Sequence, residues 1–416
     1  MQSPYGGADL AEVLEAAGAI KDGDPQSWHA AWKTQAERAE KLADEAWAAG
    51  DRHSARRAYL RASNYTRASG YMNAGHGPNK PDPAQLAVCE KVNRLFRRAA
   101  YLSDTSKLHY LQIPFDRTKL PAHLYMPTAS HRLPGKVPIL IACGGADAVQ
   151  EELYYMHPAA GPELGYAVLT FEGPGQGLSL RRDNLKMRPD WDNVIKQVID
   201  FLESFSSAHI DLELDMSRIA VAGASLGGYF ALRAATDPRI KACVALDPLY
   251  SMWDFATMHV SPTFLSAWSN GYLSNSFVDF VIGLNMRFAF QMFWEVSIAG
   301  TFFGLQSPAL ILQEFKKYTL DRADGTSRLA DVCCPVMVSG ASESLYLDAN
   351  HHTNRVFSKL DKLSEKNGEK RVWMASTPGT GSLQAKMGAM QLVNQKTFGF
   401  LDEALDVRRP ELNLDG

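Results

Sequence analysis

Through the first hundred residues apolar side chains recur every three or four positions, the spacing of one buried helical face. Asp24-Pro25 supplies a capping carboxylate, then a proline whose missing N–H costs nothing at a helix start. Trp28, Trp32, Ala39, Leu42 and Ala46 come next at helical spacing, and Gly50 ends the run. A second helix begins near Asp51 with Ala55, Tyr59, Ala62 and Tyr65, and a third opens at Asp82-Pro83 with Leu86, Val88, Val92, Leu95 and Phe96. No copy recurs at a fixed period, so residues 1–105 read as a helical domain packed on the rest of the chain, not as a repeat array.

From Lys107 the pattern changes. Lys107–Ile113 and Lys119–Met126 alternate like paired strands, and Val137–Cys143 is continuously apolar, as a strand buried on both faces must be. Tyr166–Phe171, Arg218–Gly223, Ile240–Leu246, Pro335–Ser339 and Lys370–Met374 are the further strands, most separated by helical segments, and Ala385–Leu405 closes the chain as a helix. Strand–helix alternation of this kind implies an α/β class with a mostly parallel sheet in residues 106–416. Between about 249 and 318 the alternation stops. Aromatic rings crowd that stretch, among them Trp253, Phe255 and Trp268. It reads as a helical cap over the sheet, with those three rings as candidates for an apolar substrate pocket.

Arg218 to Phe230 carries the most chemistry. A strand runs into Gly223-Ala224-Ser225-Leu226-Gly227, and a helix begins directly after it. In this G-x-S-x-G pattern the serine sits on a sharp turn and the small flanking residues let the backbone close. The helix N-terminus behind it favours developing negative charge. Together with the strand order this predicts an α/β-hydrolase fold with Ser225 as nucleophile. Two backbone N–H groups should form the oxyanion hole: Leu226, and one from Cys143-Gly144-Gly145-Ala146-Asp147, with Ala146 and Gly145 as candidates. Phe171-Glu172-Gly173-Pro174-Gly175-Gln176-Gly177 lacks the dinucleotide fingerprint and reads as a tight loop beside the site.

In this fold the triad runs serine, acid, histidine along the chain. The loop after Pro335–Ser339 selects Glu343 as the acid, with Asp348 and Asp247 as alternates. The histidine belongs after the last strand, yet residues 375–386 contain none. A general base contributes roughly 10² to 10⁴ in rate. A serine without one keeps its proton and is a weak nucleophile. His351, His352, His157 and His259 are candidate substitutes, each with a surface or packing role as the simpler reading.

Bulk properties narrow the class. Hydrophobic residues make up 46%, charged residues 21%, and the net charge is -3, without the basic bias of a nucleic-acid binder. Cys89, Cys143, Cys243, Cys333 and Cys334 lack metal-ligand spacing and read as free thiols in a reducing compartment. The start of the chain lacks a secretory pattern, and Asp279, Arg287 and Glu295 interrupt the most apolar stretch. A cytoplasmic location, no membrane span, no cofactor and no metal are the expectations; the sequence leaves a homodimer open.

Taken together, Gly144–Asp147, Phe171–Gly177, the Ser225 elbow, Ser344-Leu345-Tyr346-Leu347-Asp348 and the tail from Asn394 to Glu403 resemble the fungal α/β-hydrolases of polyketide pathways. A more distant likeness is to 2,6-dihydroxypseudooxynicotine hydrolase. The resemblance spans nearly the whole chain and is strongest to the hydrolase-like proteins of cytochalasan-type polyketide–amino-acid hybrid pathways. Relatives carry His-Cys-Gln where this chain has Ser382-Leu383-Gln384, so the resemblance puts Ser382 at the place of the triad histidine. It implies carbon–carbon bond chemistry on an apolar β-dicarbonyl substrate, either hydrolysis or a Knoevenagel-type ring closure of a released aminoacyl-polyketide aldehyde. Asp147, Asp247, Glu343 or a cap histidine would then be the base. Two other readings stand beside it: a serine carboxylesterase or thioesterase using a displaced histidine, and a non-catalytic scaffold for a synthase.

Overall fold

A computed structural model describes residues 3–411, with the side chains at 257 and 259 outside the description. Four helices open the chain: α1 (Leu10–Ala19), α2 (Pro25–Ala48), α3 (Arg52–Tyr71) and α4 (Ala84–Tyr101). The Asp24 carboxylate accepts from the Gln26 and Ser27 N–H groups, and Asp51 from Ser54, as capping requires. The first helix is not legible in the sequence pattern. Its leucines, Leu10 and Leu14, face solvent and only Ala16 is buried, so its periodicity reports no core face.

Alanines 36, 39, 43, 55, 58 and 62 line the seam among these helices and let the backbones approach closely. Tyr59, Tyr65, Leu95 and Phe96 fill the remaining space. The same apolar cluster runs on into Tyr125, Leu140, Val168 and Val244 of the sheet. The helical layer therefore shares its core with one face of the sheet.

Eight strands form that sheet: β1 (Ser106–Phe115), β2 (Thr118–Pro127), β3 (Val137–Cys143), β4 (Ala167–Phe171), β5 (Leu214–Ala224), β6 (Ile240–Leu246), β7 (Val336–Ala341) and β8 (Lys370–Ala375). Their order is β1-β2-β4-β3-β5-β6-β7-β8. The first two pair antiparallel, β2 joins β4 antiparallel, and β3 to β8 run parallel. Short helices α5 (Gln150–Leu153) and α6 (Gly177–Arg181) come after β3 and β4. The longer α7 (Trp191–Ala208) and α8 (Leu226–Ala234) cover the second face, where Trp191 stacks on Phe230 at 3.8 Å between ring centroids.

Between β6 and β7 the chain builds the cap: α9 (Met252–His259), α10 (Pro262–Ser269), α11 (Asn275–Met286), α12 (Phe290–Phe303) and α13 (Pro308–Phe315). The cap has a small core of its own, including Leu265, Trp268, Val278, Ile282 and Leu312. After β7 come α14 (Arg355–Lys359), β8 and α15 (Met390–Ala404). The closing helix begins five residues later than its periodicity suggests. Ala385 and Lys386 adopt left-handed backbone, with φ of 52° and 57°, and break the helix there. Among the described residues no single helix is long and apolar enough to cross a membrane.

Candidate active site

The strand–turn–helix around Ser225 places one hydroxyl at the C-terminal edge of the sheet. Ser225 has φ 56° and ψ −121°, a conformation that costs a non-glycine residue about 1–3 kcal/mol and persists only where its surroundings impose it. The surroundings do so through three glycines. A Cβ at Gly223 would lie 2.1 Å from Gly227 O, one at Gly227 would lie 2.5 Å from Cys143 O, and one at Gly228 would lie 2.9 Å from Pro248 Cβ. The Ser225 N–H donates to Leu246 O, and its carbonyl accepts from Gly228, Tyr229 and Leu249. Its hydroxyl makes no hydrogen bond among the described residues, and the residue is partly exposed.

Two sets of backbone donors stand beside it. Leu226 opens α8, where the first N–H groups have no partner within the helix. Gly145 packs against the elbow, because a Cβ there would lie 3.7 Å from Ala224 O and 3.8 Å from Gly227 N. Gly145 and Ala146 N–H groups bond to nothing among the described residues. Gln176 holds this loop in place, its amide donating to Gly144 O at 2.8 Å and to Gly145 O at 2.9 Å while its own Oε1 accepts from Gly173 N–H. Glu172 secures the loop that carries Gln176 by accepting from Leu178 and Gln150 N–H groups. Gly177 is required here, since a Cβ would lie 1.9 Å from Glu172 Oε1.

The candidate acids separate. Glu343 is exposed and its carboxylate makes no hydrogen bond among the described residues, although its N–H donates to Ser382 O at 2.9 Å and so ties the β7 and β8 loops together. Asp348 is exposed and caps the turn at Asn350 and His351. Asp247 is the buried one. Its Oδ1 accepts from Ser339 Oγ at 3.0 Å and pairs with Lys386 Nζ at 2.9 Å, while Oδ2 has no partner among the described residues. Burial pushes its carboxyl above the usual range, and Lys386 and Ser339 pull against that shift. Lys386 is fully buried, donates to Gly340 O at 2.7 Å, and is pushed down by burial, with Asp247 opposing.

None of the described candidate imidazoles has a hydrogen bond to Ser225. His157 Nδ1 lies 3.0 Å from Asn394 Oδ1 on α15, and the ring packs edge-on to Phe398. His352 Nδ1 accepts from Tyr250 N–H at 3.0 Å. Burial holds each near a pKa of about 4, so both are neutral packing residues. His351 is exposed beside Asp348, at 3.5 Å. His259 lies on α9 with its side chain outside the described residues. Ser382 is fully buried with an unpartnered hydroxyl. Asp147 is engaged by Arg67, which donates to its carbonyl at 2.6 Å and lies 3.7 Å from its carboxylate.

Of the three rings expected to line a pocket, Trp268 belongs to the cap's own core and donates to Asn275, and Trp253 packs beside it. The Lys316 ammonium covers both rings. They stabilise the cap, because an aromatic run cannot reveal which rings turn inward. Phe255 reaches Tyr346 on the loop after β7.

A family model described as the alpha/beta hydrolase family matches residues 139–336. Hydrolase ORFZ of Pyricularia oryzae is 61% identical over 98% of this chain and 95% of its own length. The chain belongs to the α/β-hydrolase family. Hydrolyase ccsE of Aspergillus clavatus is 53% identical over 98% of this chain and 95% of its own length. The crystal structure of 2,6-dihydroxy-pseudo-oxynicotine hydrolase superposes with a TM-score of 0.69, covering 98% of this chain and 97% of that one, at 17% identity, a likeness of fold. The resemblance read from the loops and the elbow is thereby borne out.

In this α/β-hydrolase the Ser225 elbow and the glycine loop after β3 pack together at the C-terminal edge of the sheet. Sequence reasoning missed Lys386, and it put the Phe171–Gly177 loop beside the site without giving Glu172 or Gln176 a role. A lysine after the last strand reads as solvent-exposed, and only the converging β6, β7 and β8 loops show it buried against Asp247. Among the described residues no group of three His, Cys, Asp or Glu side chains is arranged to hold a metal ion.

Proposed function

We propose that this α/β-hydrolase works in secondary-metabolite biosynthesis, on a large apolar substrate of β-dicarbonyl type, making or breaking a carbon–carbon bond without an acyl-serine. In the favoured direction it closes the ring of an aminoacyl-polyketide aldehyde from a cytochalasan-type hybrid pathway. Asp147, Asp247, Glu343 or a cap histidine takes one proton from the carbon between the carbonyls, and the enolate carbon attacks the aldehyde carbon. The alkoxide takes that proton back, and the second proton of the same carbon leaves with the hydroxyl as water. Backbone donors at Leu226 and Gly145 or Ala146 stabilise the anionic oxygen, and the Ser225 hydroxyl donates a further hydrogen bond. The cap holds the chain folded and excludes water.

One observation carries this reading. The Ser225 hydroxyl sits on a strained elbow beside free backbone donors, yet it hydrogen-bonds to no imidazole among the described residues, and the loop after β8 offers Ser382 and a Lys386 already tied to Asp247. Such a serine is a weak nucleophile but a good donor.

The test is to incubate purified protein with the linear aminoacyl-polyketide aldehyde and follow ring closure against buffer. Acceleration, with no labelling of Ser225 by a fluorophosphonate, supports the proposal. No acceleration of any reaction, or rapid labelling together with ester turnover, overturns it.

A further inference from the structure

A cavity of about 20 Å³, room for one or two water-sized groups, opens beside the oxyanion loop. Its walls come from α3 and α4, the loops after β3 and β4, and the cap helix α12. Arg67, Tyr71, Cys89, Asp147, Arg181 and Phe302 stand among its lining residues. Asp147 lies two residues past Gly145, so their Cα atoms are at most about 7 Å apart. The loop that carries the oxyanion candidates thus supplies one wall of the cavity.

The two arginines differ. Arg67 is pinned between carboxylates, Asp147 at 3.7 Å and Glu152 at 3.4 Å, and lies over the Tyr71 ring at 5.0 Å. Its charge is balanced. Arg181, in the last turn of α6, has no ion pair and no hydrogen bond among the described residues, although it lines the same cavity. Burial pushes its guanidinium below the usual range, the Arg67 charge adds to that shift, and Cys89 and Asp147 oppose it. Arg181 is partly exposed, so a ligand oxygen can reach its guanidinium and exchange its water for a charged hydrogen bond.

We propose that this cavity is an anion subsite in which Arg181, flanked by Arg67 and Tyr71, receives an anionic oxygen of the substrate, an enolate or a carboxylate. The assignment rests on the reading of an acidic β-dicarbonyl substrate above, and it names the group that reading requires the protein to recognise. The fork of Arg181 suits either anion, since both present oxygens to paired N–H donors.

The test uses small ligands and no catalysis. The full-length protein is titrated calorimetrically with dimedone, an enolate at pH 8, with benzoate, a carboxylate, and with methyl benzoate as a neutral control. The expected result is that at least one anion binds about 10-fold or more tighter than the neutral ester, as a charged hydrogen bond supplies. Arg181→Gln should abolish that preference without weakening the ester, and Arg181→Lys should keep part of it. Dimedone alone binding assigns an enolate; benzoate alone assigns a carboxylate. Equal binding of anion and ester, no anion binding, or an unchanged preference in an Arg181→Gln protein that unfolds at the wild-type temperature would overturn the subsite. These titrations involve no turnover, so the subsite and the carbon–carbon chemistry fail or stand separately.

Discussion

Replacing Lys386 with methionine should destabilise the protein substantially. Lys386 is fully buried, and its ammonium has two oxygens in reach, Asp247 Oδ1 at 2.9 Å and Gly340 O at 2.7 Å. Methionine matches its length but leaves Asp247 3% exposed, with one oxygen already unpartnered and the other kept only by Ser339. Removing one partner of a buried pair costs about 3–5 kcal/mol. With an unfolding entropy of about 2.1 cal/mol/K per residue, a chain of this size should lose roughly 3–6 °C in melting temperature. Scanning calorimetry at pH 8 measures it. The deficit should depend on pH with a defined sign. Without its cation Asp247 has a folded pKa further above its unfolded value, so the deficit is present above the folded pKa. It shrinks as the pH falls toward the unfolded carboxylate value. Asp247→Leu combined with Lys386→Met removes both charges and should recover most of the loss. Wild-type melting of Lys386→Met, or a double variant no more stable than the single, would refute the claim that this ion pair holds the β6, β7 and β8 loops together.

Three further outcomes rest on the geometry. Gly227→Ala puts a Cβ 2.5 Å from Cys143 O and should cost about 1–3 kcal/mol, whereas Gly145→Ala meets only ordinary contacts and should unfold within about 0.5 kcal/mol of the wild type in urea. His157 and His352 are held near pKa values of about 4, below the unfolded value of about 6.5, so their contribution is complete above pH 6.5 and is lost as the pH falls from 6.5 to 4. Each contributes up to about 3 kcal/mol. His352→Gln should therefore narrow the gap between urea midpoints at pH 7.5 and pH 5, and an unchanged gap would count against it. Gln176→Leu removes the donor to Gly144 O and Gly145 O and should cost about 1–3 kcal/mol per stranded carbonyl. Thermal unfolding reads that loss, and slower product formation would report the loosened loop.

Much of the architecture was legible without coordinates because its causes are local. Asp24-Pro25 and Asp51 start helices through backbone chemistry that acts within three residues, and both do so here. The apolar run Val137–Cys143 can be satisfied only by burial on both faces, and β3 is buried throughout. The glycines around Ser225 announced a turn too tight for side chains, and φ 56° with the close contacts at Gly223 and Gly227 is that turn. Where local and long-range demands differed, the pattern misled. The Ala385 start of the last helix yields to two left-handed residues that turn Lys386 inward.

The sequence by itself determined the α/β alternation, the elbow serine, the glycine loop beside it, and the lack of a histidine between residues 375 and 386. Only the tertiary structure decided which carboxylate is buried, that Lys386 is its partner, that His157 and His352 serve packing, and that Arg181 lines a cavity with no ionic partner among the described residues. The reason is physical. Turns and caps are set by neighbours within a few residues, whereas the ionic partner of a buried charge is set by which loops converge. Asp247 and Lys386 are brought together by three strands whose order no short stretch of sequence encodes.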